Sequence, residues 1–164
     1  MGAKRLKKLF DKPRKLWDKQ RVETESGLKD EFGLKNSREL WRMQTILRKI
    51  RREARRILSK KGSDLDERTT KLIKRVNSFL IAKPDFTVDE ILGLKVQDLL
   101  SRRLETLIVK KGMAKTMKQA RQYIVHGHVS IKGRKVSSPS YLVKFDEENE
   151  IGWFKKPLVV EASA

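Results

Sequence analysis

Apolar positions recur at helical spacing over much of the chain. Leu40, Met43, Leu47, Ile50, Ala54, Ile57 and Leu58 follow one another at intervals of mostly three and four, which places them on one face of a long helix. Asn36 and Glu39 form a capping-box-like start, and Gly62 a stop. A second helix is expected from about Ser63, with Asp64, Asp66 and Glu67 in its first turn. Its stripe is Leu65, Leu72, Ile73, Val76, Phe79 and Leu80, and Lys83-Pro84 closes it. Thr87 and Glu90 read as a capping box before a short helix that Gly93 ends.

From Val96 the pattern changes. Val96–Lys111 reads as one amphipathic helix with Leu99, Leu100, Leu104, Leu107 and Ile108 inward and Ser101, Arg102, Arg103 and Glu105 outward. Gly112 stops it. Thr116 and Gln119 cap a short helix that runs to Val125 and ends at His126-Gly127. His128–Ile131 then alternates as a strand, Lys132-Gly133 is a turn, and Arg134–Val136 begins the return strand. Tyr141–Phe145 and Ile151–Phe154 are expected to form a hairpin around the acidic turn 146–149. Residues 1–35 show no sustained apolar stripe, and Pro13 breaks any early helix, so they are expected to be irregular and to order on binding. The fold class is therefore α+β: a mostly helical region over 1–95, a helix–helix–hairpin module over 96–150, and a tail over 151–164 packing back.

Charge adds a function class to this outline. The chain has 164 residues with 40 Lys and Arg against 21 Asp and Glu, a net charge of +19. Such a surplus repels itself in a compact state, and a polyanion relieves it. The surplus is not evenly spread. Residues 1–61 hold 21 bases and 8 acids, and residues 101–135 hold 10 bases and one acid. Residues 62–100 and 136–164 are close to neutral. Surface charge that only solubilises is normally mixed in sign. On the long helix, Arg48/Arg52, Arg51/Arg55 and Arg52/Arg56 repel at i,i+4, with Glu53 the one acid among them. A phosphate backbone would relieve that repulsion. Two basic blocks imply two surfaces on one nucleic acid.

Other classes lack their signatures. No run of about 18 apolar residues is present, so no membrane-spanning helix is expected. Met1–Phe10 is too charged to read as a signal peptide. The chain has no Cys and two His, so no disulfide, thiolate metal site or other resident metal or cofactor is expected. There is no nucleotide loop and no paired nucleophile and base, so no enzyme and no small-molecule substrate is expected.

The candidate RNA contacts follow from these blocks. In the extension they are Lys4, Arg5, Lys7, Lys8, Arg14 and Arg21, interleaved with Phe10, Trp17 and Phe32. Aromatics there can stack on bases or pin the segment to the protein; for Trp17, pinning is the expected role. On the long helix the candidates are Arg42, Arg48, Arg51, Arg52 and Arg55. In the module they are Ser101, Arg102, Arg103, Lys115, Thr116, Lys118, Arg121, Gln122, His126, Gly127, Lys132, Arg134 and Lys135. The N-terminus of the Thr116 helix offers backbone N–H groups and a positive dipole end to a phosphate. Arg102 and Arg103 can fork onto phosphate oxygens. Gly127 allows a sharp turn and a close approach of RNA backbone. His126 can stack on or hydrogen-bond to RNA, and His128 is open between that role and a structural one.

These residues also carry a resemblance. Ser101-Arg102-Arg103-Leu104-Glu105, Lys115-Thr116, Gln119-Ala120-Arg121-Gln122, Val125-His126-Gly127-His128-Val129 and Gly133-Arg134-Lys135-Val136 resemble the S-four RNA-binding domain. Gly33-Leu34-Lys35-Asn36, Arg38-Glu39-Leu40-Trp41, the run Leu47–Arg55 and Ile91-Leu92-Gly93-Leu94 resemble the small-subunit ribosomal protein S-four family, in its archaeal and eukaryotic branch. Many members of the module have Asp where this chain has Glu105, and the Cys cluster of some bacterial relatives is missing. The resemblance implies a structural protein of the small ribosomal subunit that binds the 5′ region of its rRNA and supports assembly. It also implies a place near the mRNA entry path with an indirect effect on decoding accuracy, neighbouring ribosomal proteins as partners, and a cytoplasmic location.

Overall fold

The computed structural model describes residues 9–59, 65–80 and 87–155. Its helices are α1 (Lys19–Glu31), α2 (Ser37–Ser59), α3 (Leu65–Asn77), α4 (Val88–Gly93), α5 (Val96–Ser101), α6 (Leu104–Lys110), α7 (Met117–Val125) and α8 (Phe145–Glu148). Its strands are β1 (Val129–Ile131), β2 (Arg134–Lys135) and β3 (Ile151–Trp153). The α+β class holds: mostly helix, with one small antiparallel sheet.

The 23-residue α2 is the spine. Its start is as expected, with the Glu39 N–H donating to Asn36 Oδ1 at 3.1 Å. Its stripe buries Leu40, Met43, Leu47, Ile50, Ala54 and Ile57, but Leu58 falls off it and is 51 % exposed. Leu47, Ile50, Ala54 and Ile57 pack with Leu72 and Val76 of α3, Ile91 of α4, and Leu94 and Leu99. Leu40 and Met43 pack instead with Phe32, Leu34 and Leu100. Both buried leucines of α5 thus join cores built on α2. A separate core holds α6, α7 and the sheet together, through Leu104, Leu107, Ile108, Ala120, Ile124, Val129, Ile131, Val143 and Ile151. The expected capping box at Thr87 does not form. At Lys95 the N–H donates to Asp98 Oδ2 at 2.6 Å, the return half of such a box without its N-cap acceptor.

Three local expectations are corrected. The stretch 19–31 is helical. Its sequence lacks an apolar stripe because polar groups dock it: buried Glu25 accepts from Arg21 Nη1 at 2.5 Å and from Trp41 Nε1 at 3.2 Å. The helix closes with Gly33 at φ +60 and the Leu34 N–H donating to Lys29 O at 2.9 Å, the 6→1 bond of a Schellman motif.

The expected single helix over 96–111 breaks at Arg102–Arg103. These residues leave the helix to pair with 141–143: the Val143 N–H donates to Arg102 O at 3.0 Å and the Leu104 N–H to Tyr141 O at 2.8 Å, around an antiparallel bridge between Arg103 and Leu142.

The expected hairpin of 141–145 with 151–154 is absent from the sheet. Its acidic turn is helix α8, and β3 pairs with β1 (Val129 with Trp153, Ile131 with Ile151), giving the order β2-β1-β3. The β1–β2 turn is as expected. Lys132 and Gly133 both have positive φ, at 53 and 71, in a two-residue loop that matches the sheet's twist.

Candidate nucleic-acid interface

The cations expected to meet RNA divide into two groups, one exposed and one consumed inside the protein. The exposed group begins on α2. Arg42, Arg48, Arg52 and Arg55 stand on the face opposite the apolar stripe. Arg48 lies 3.3 Å from Asp11, both more than half exposed, a pair of little strength. Arg42, Arg52 and Arg55 have no ion pair among the described residues. Arg51 differs: it is half-buried and its Nη2 donates to Leu94 O, so it ties α2 to the end of α4.

In the module, α7 presents Lys118, Gln122, Val125 and His126 on one exposed strip, because they are spaced at four, three and one. Thr116 caps α7 by accepting from the Gln119 N–H at 3.2 Å, and Gln119 Oε1 accepts from the Lys115 N–H at 2.8 Å. The chain then turns at Gly127 with φ +76. The space a Cβ would take there is filled by the end of the Lys135 side chain, 1.8 Å from that point. Gly127 therefore leaves room for the end of a lysine of β2 beside the α7 end. Arg134 and Lys135 are exposed on the hairpin, and Lys132 lies 3.7 Å from Glu150 with both half exposed.

The two histidines part company. His128 sits edge-on to Tyr123, with ring centroids 6.3 Å apart, and Tyr123 in turn packs on Trp153 at 5.4 Å. His126 is exposed and stacks on His128 from outside.

The second group corrects the sequence reading. Arg103 was expected outward but is 1 % exposed, and Arg121 was expected to face a phosphate. Both instead hold two carboxylates. Arg121 Nη1 and Nη2 donate to Glu39 Oε1 and Oε2 at 3.0 and 2.8 Å, and its Nε and Nη2 donate to Glu105 at 3.1 Å each. Arg103 Nη2 donates to Glu39 at 2.9 Å and Glu105 at 3.3 Å. Glu39 comes from α2, Arg103 and Glu105 from the start of α6, and Arg121 from α7, so this cluster joins the helical region to the module.

Arg102 is also withdrawn. Its Nη1 donates to Glu148 at 2.6 Å, its Nη2 donates to Val143 O at 3.2 Å, and its guanidinium lies 4.1 Å over the Phe145 ring. Ser101 Oγ closes its own helix by donating to Asp98 O. Arg21 braces α1 through Glu25 and donates to Leu16 O at 2.9 Å. Arg14 is exposed, and Lys4, Arg5, Lys7 and Lys8 lie outside the described residues.

The cluster splits its two carboxylates. Burial pushes the Glu105 carboxyl up, against the pull of Arg121 and Arg103. Burial also works on Glu39, but the hydrogen bonds from Arg121 and Arg103 outweigh it and hold the carboxyl below its ordinary 4.5. A carboxylate with a lowered folded-state pKa contributes stability above the unfolded value, and that stability is lost as pH falls through the folded one. The difference in unfolding free energy between wild type and Glu39→Gln is therefore expected to shrink from about pH 6 to about pH 3. Glu105 acts with the opposite sign in both proteins and largely cancels. Denaturant melts across that range give the answer; a difference that grows toward acid would contradict the role given to Glu39.

Comparison with known proteins agrees with this architecture. A family model described as S4 domain matches residues 102–149. Over 161 residues the chain is 39 % identical to the small ribosomal subunit protein uS4 of Methanococcus aeolicus, covering 97 % of this chain and 91 % of the relative. It is 44 % identical over 149 residues to that of Nanoarchaeum equitans, covering 90 % and 83 %. It is 42 % identical over 152 residues to that of Saccharolobus islandicus, covering 92 % and 84 %. With the S4 domain in place and the match continuing through α2, the chain belongs to the small ribosomal subunit protein uS4 family.

Proposed function

We propose that this protein is a structural, non-catalytic constituent of the small ribosomal subunit that binds its rRNA through two exposed basic surfaces. One is the polar face of α2, with Arg42, Arg48, Arg52 and Arg55. The other runs from Lys115, Lys118 and Gln122 through His126 to Arg134 and Lys135. Lys132 flanks it. The observation that carries the reading is the sorting of the cations. Where a cation is needed to hold the fold it has a carboxylate or carbonyl at hydrogen-bond distance, as Arg21, Arg51, Arg102, Arg103 and Arg121 do. Arg42, Arg52, Arg55, Lys118, Arg134 and Lys135 stand exposed with no ion pair among the described residues. Like charges left together on a folded surface fit a phosphate backbone, and RNA helices are read chiefly by shape, phosphate and 2′-OH contacts.

On the family's pattern the RNA is the 5′ region of the small-subunit rRNA, bound early in assembly in the cytoplasm. The mRNA entry path and other small-subunit proteins are its neighbours, and the effect on decoding accuracy is indirect.

The test is a salt titration of binding to a 5′-domain rRNA transcript. Each phosphate neutralised contributes about 0.7–0.9 to the slope of log K against log salt. The double variant Arg52→Gln/Arg55→Gln is expected to flatten the slope by about 1.4–1.8. Identical slopes for variant and wild type would remove α2 from the interface.

A further inference from the structure

Trp17 was expected to pin the N-terminal segment to the protein, and it does the opposite: it is 95 % exposed. We propose that Trp17 is a stacking platform for an unpaired base of the bound rRNA, with the cations around it taking the adjoining phosphates. This rests on the RNA-binding reading above and adds to it a site of different chemistry, outside the α2 face and the module.

The loop that carries the indole is held in place on both sides. The Asp11 N–H donates to Thr45 Oγ1 at 3.0 Å, and Asp11 also receives Arg48. Phe10 packs against Trp41 with centroids 6.0 Å apart. Leu16 O accepts from Arg21 Nη2 at 2.9 Å, and Asp18 O accepts the Val22 N–H at 3.0 Å, opening α1. Arg21 is fixed by Glu25, and Glu25 by Trp41. The residues on either side of Trp17 are thus anchored to α1 and α2 while its own ring stays in water. Because the backbone that carries the ring is already fixed, binding has only the indole's own rotamers left to order.

The occupant follows from charge. Lys12, Arg14, Lys15 and Lys19 surround the indole in sequence and are all exposed, against Asp18 as the single acid within 12–19. The apolar residue next to Trp17 in the chain is Leu16, 51 % exposed, and among the described residues of 9–31 the other large exposed apolar side chains are Leu9 and Val22. A protein partner anchored on a Trp calls for a broader apolar patch with charge kept to the rim. An aromatic face ringed by cations is the arrangement that holds single-stranded nucleic acid: the base on the π-face, the phosphates on the ammonium groups. Arg21, read from sequence as an RNA contact, becomes a positioning residue for this loop.

The experiment uses the full chain and the 5′-domain rRNA transcript. Stacking of one base is worth about 1–3 kcal/mol, so Trp17→Ala is expected to weaken binding by about 5- to 150-fold. Trp17→Phe, which keeps a ring, is expected to recover most of that. The slope of log K against log salt should be unchanged in both, since the indole neutralises no phosphate. The melting temperature should also be unchanged, since a ring in water supports no packing. If wild type binds with a steep slope and Trp17→Ala binds equally well, the stacking site is refuted while the RNA-binding reading stands. If wild type itself shows no salt-dependent binding, both fail. If Trp17→Ala binds the transcript normally but is excluded from reconstituted subunits, the indole meets a protein and the base-stacking proposal is overturned.

Discussion

Replacing Glu105 with Ala is expected to cost about 3–5 kcal/mol of unfolding free energy, the usual range for breaking a buried ion pair from one side. Glu105 is fully buried, and with Glu39 it is one of two acids that face both Arg103, at 1 % exposure, and Arg121. Without it the two guanidiniums share Glu39 alone, and Arg103, itself 1 % exposed, is left as a buried charge without a full partner, which is the expensive outcome. The loss reflects the charge left behind more than the net worth of the pair. The double variant Arg103→Leu/Glu105→Leu, which removes one charge of each sign and refills the volume, is therefore expected to be less destabilised than Glu105→Ala. Urea denaturation of the two variants distinguishes these views. A cost below about 1 kcal/mol for Glu105→Ala, or a double variant weaker than the single, would mean that the cluster is effectively solvated.

That cluster also marks where the sequence stops being informative. The stripe of α2, the capped α7 and the Lys132-Gly133 turn are local features, and periodicity and turn chemistry found them because the residues that decide them are neighbours in the chain. Glu39 and Arg121 are 82 positions apart, and no spacing rule pairs them. Arg103 and Arg121 looked like phosphate ligands because residue type and helix face were all that could be read. The available signal was Glu105 itself: one acid among ten bases over 101–135 has a use, and the nearest use is to satisfy those bases. The break at Arg102–Arg103 and the partner of β3 were missed for the same reason, since 141–143 and β1 compete for strands at long range. Helix α1 was missed for another. Its docking is mostly polar, through Arg21, Glu25 and Trp41, with Leu28 its apolar contact, and a search for apolar periodicity passes over such a helix. The candidate site was legible as two basic surfaces. Which cations stay exposed became clear only once their partners were in view, and the exposed set is the one proposed above to meet RNA.

The seam between α1 and the module depends on a glycine. Gly33 has φ +60, and a Cβ added there would lie 2.4 Å from Met117 Cβ and 3.3 Å from Glu105 Oε1. The first contact is decisive, because Met117 Cβ is fixed to the backbone at the first position of α7 and cannot swing aside as a side-chain end can. Gly33→Ala therefore combines left-handed strain of about 1–2 kcal/mol with overpacking of about 1–3 kcal/mol, and about 2–5 kcal/mol of lost stability is expected. The two parts separate by choice of partner. Met117→Ala keeps the offending Cβ, so Gly33→Ala should cost the same in that background as in wild type. Met117→Gly removes it, so in that background the cost should fall to the backbone strain alone, about 1–2 kcal/mol. Denaturant midpoints of wild type and these five variants complete the two cycles. If Gly33→Ala is tolerated within about 0.5 kcal/mol, or if Met117→Ala relieves it as fully as Met117→Gly, the close contact between the α1–α2 turn and α7 does not exist in solution.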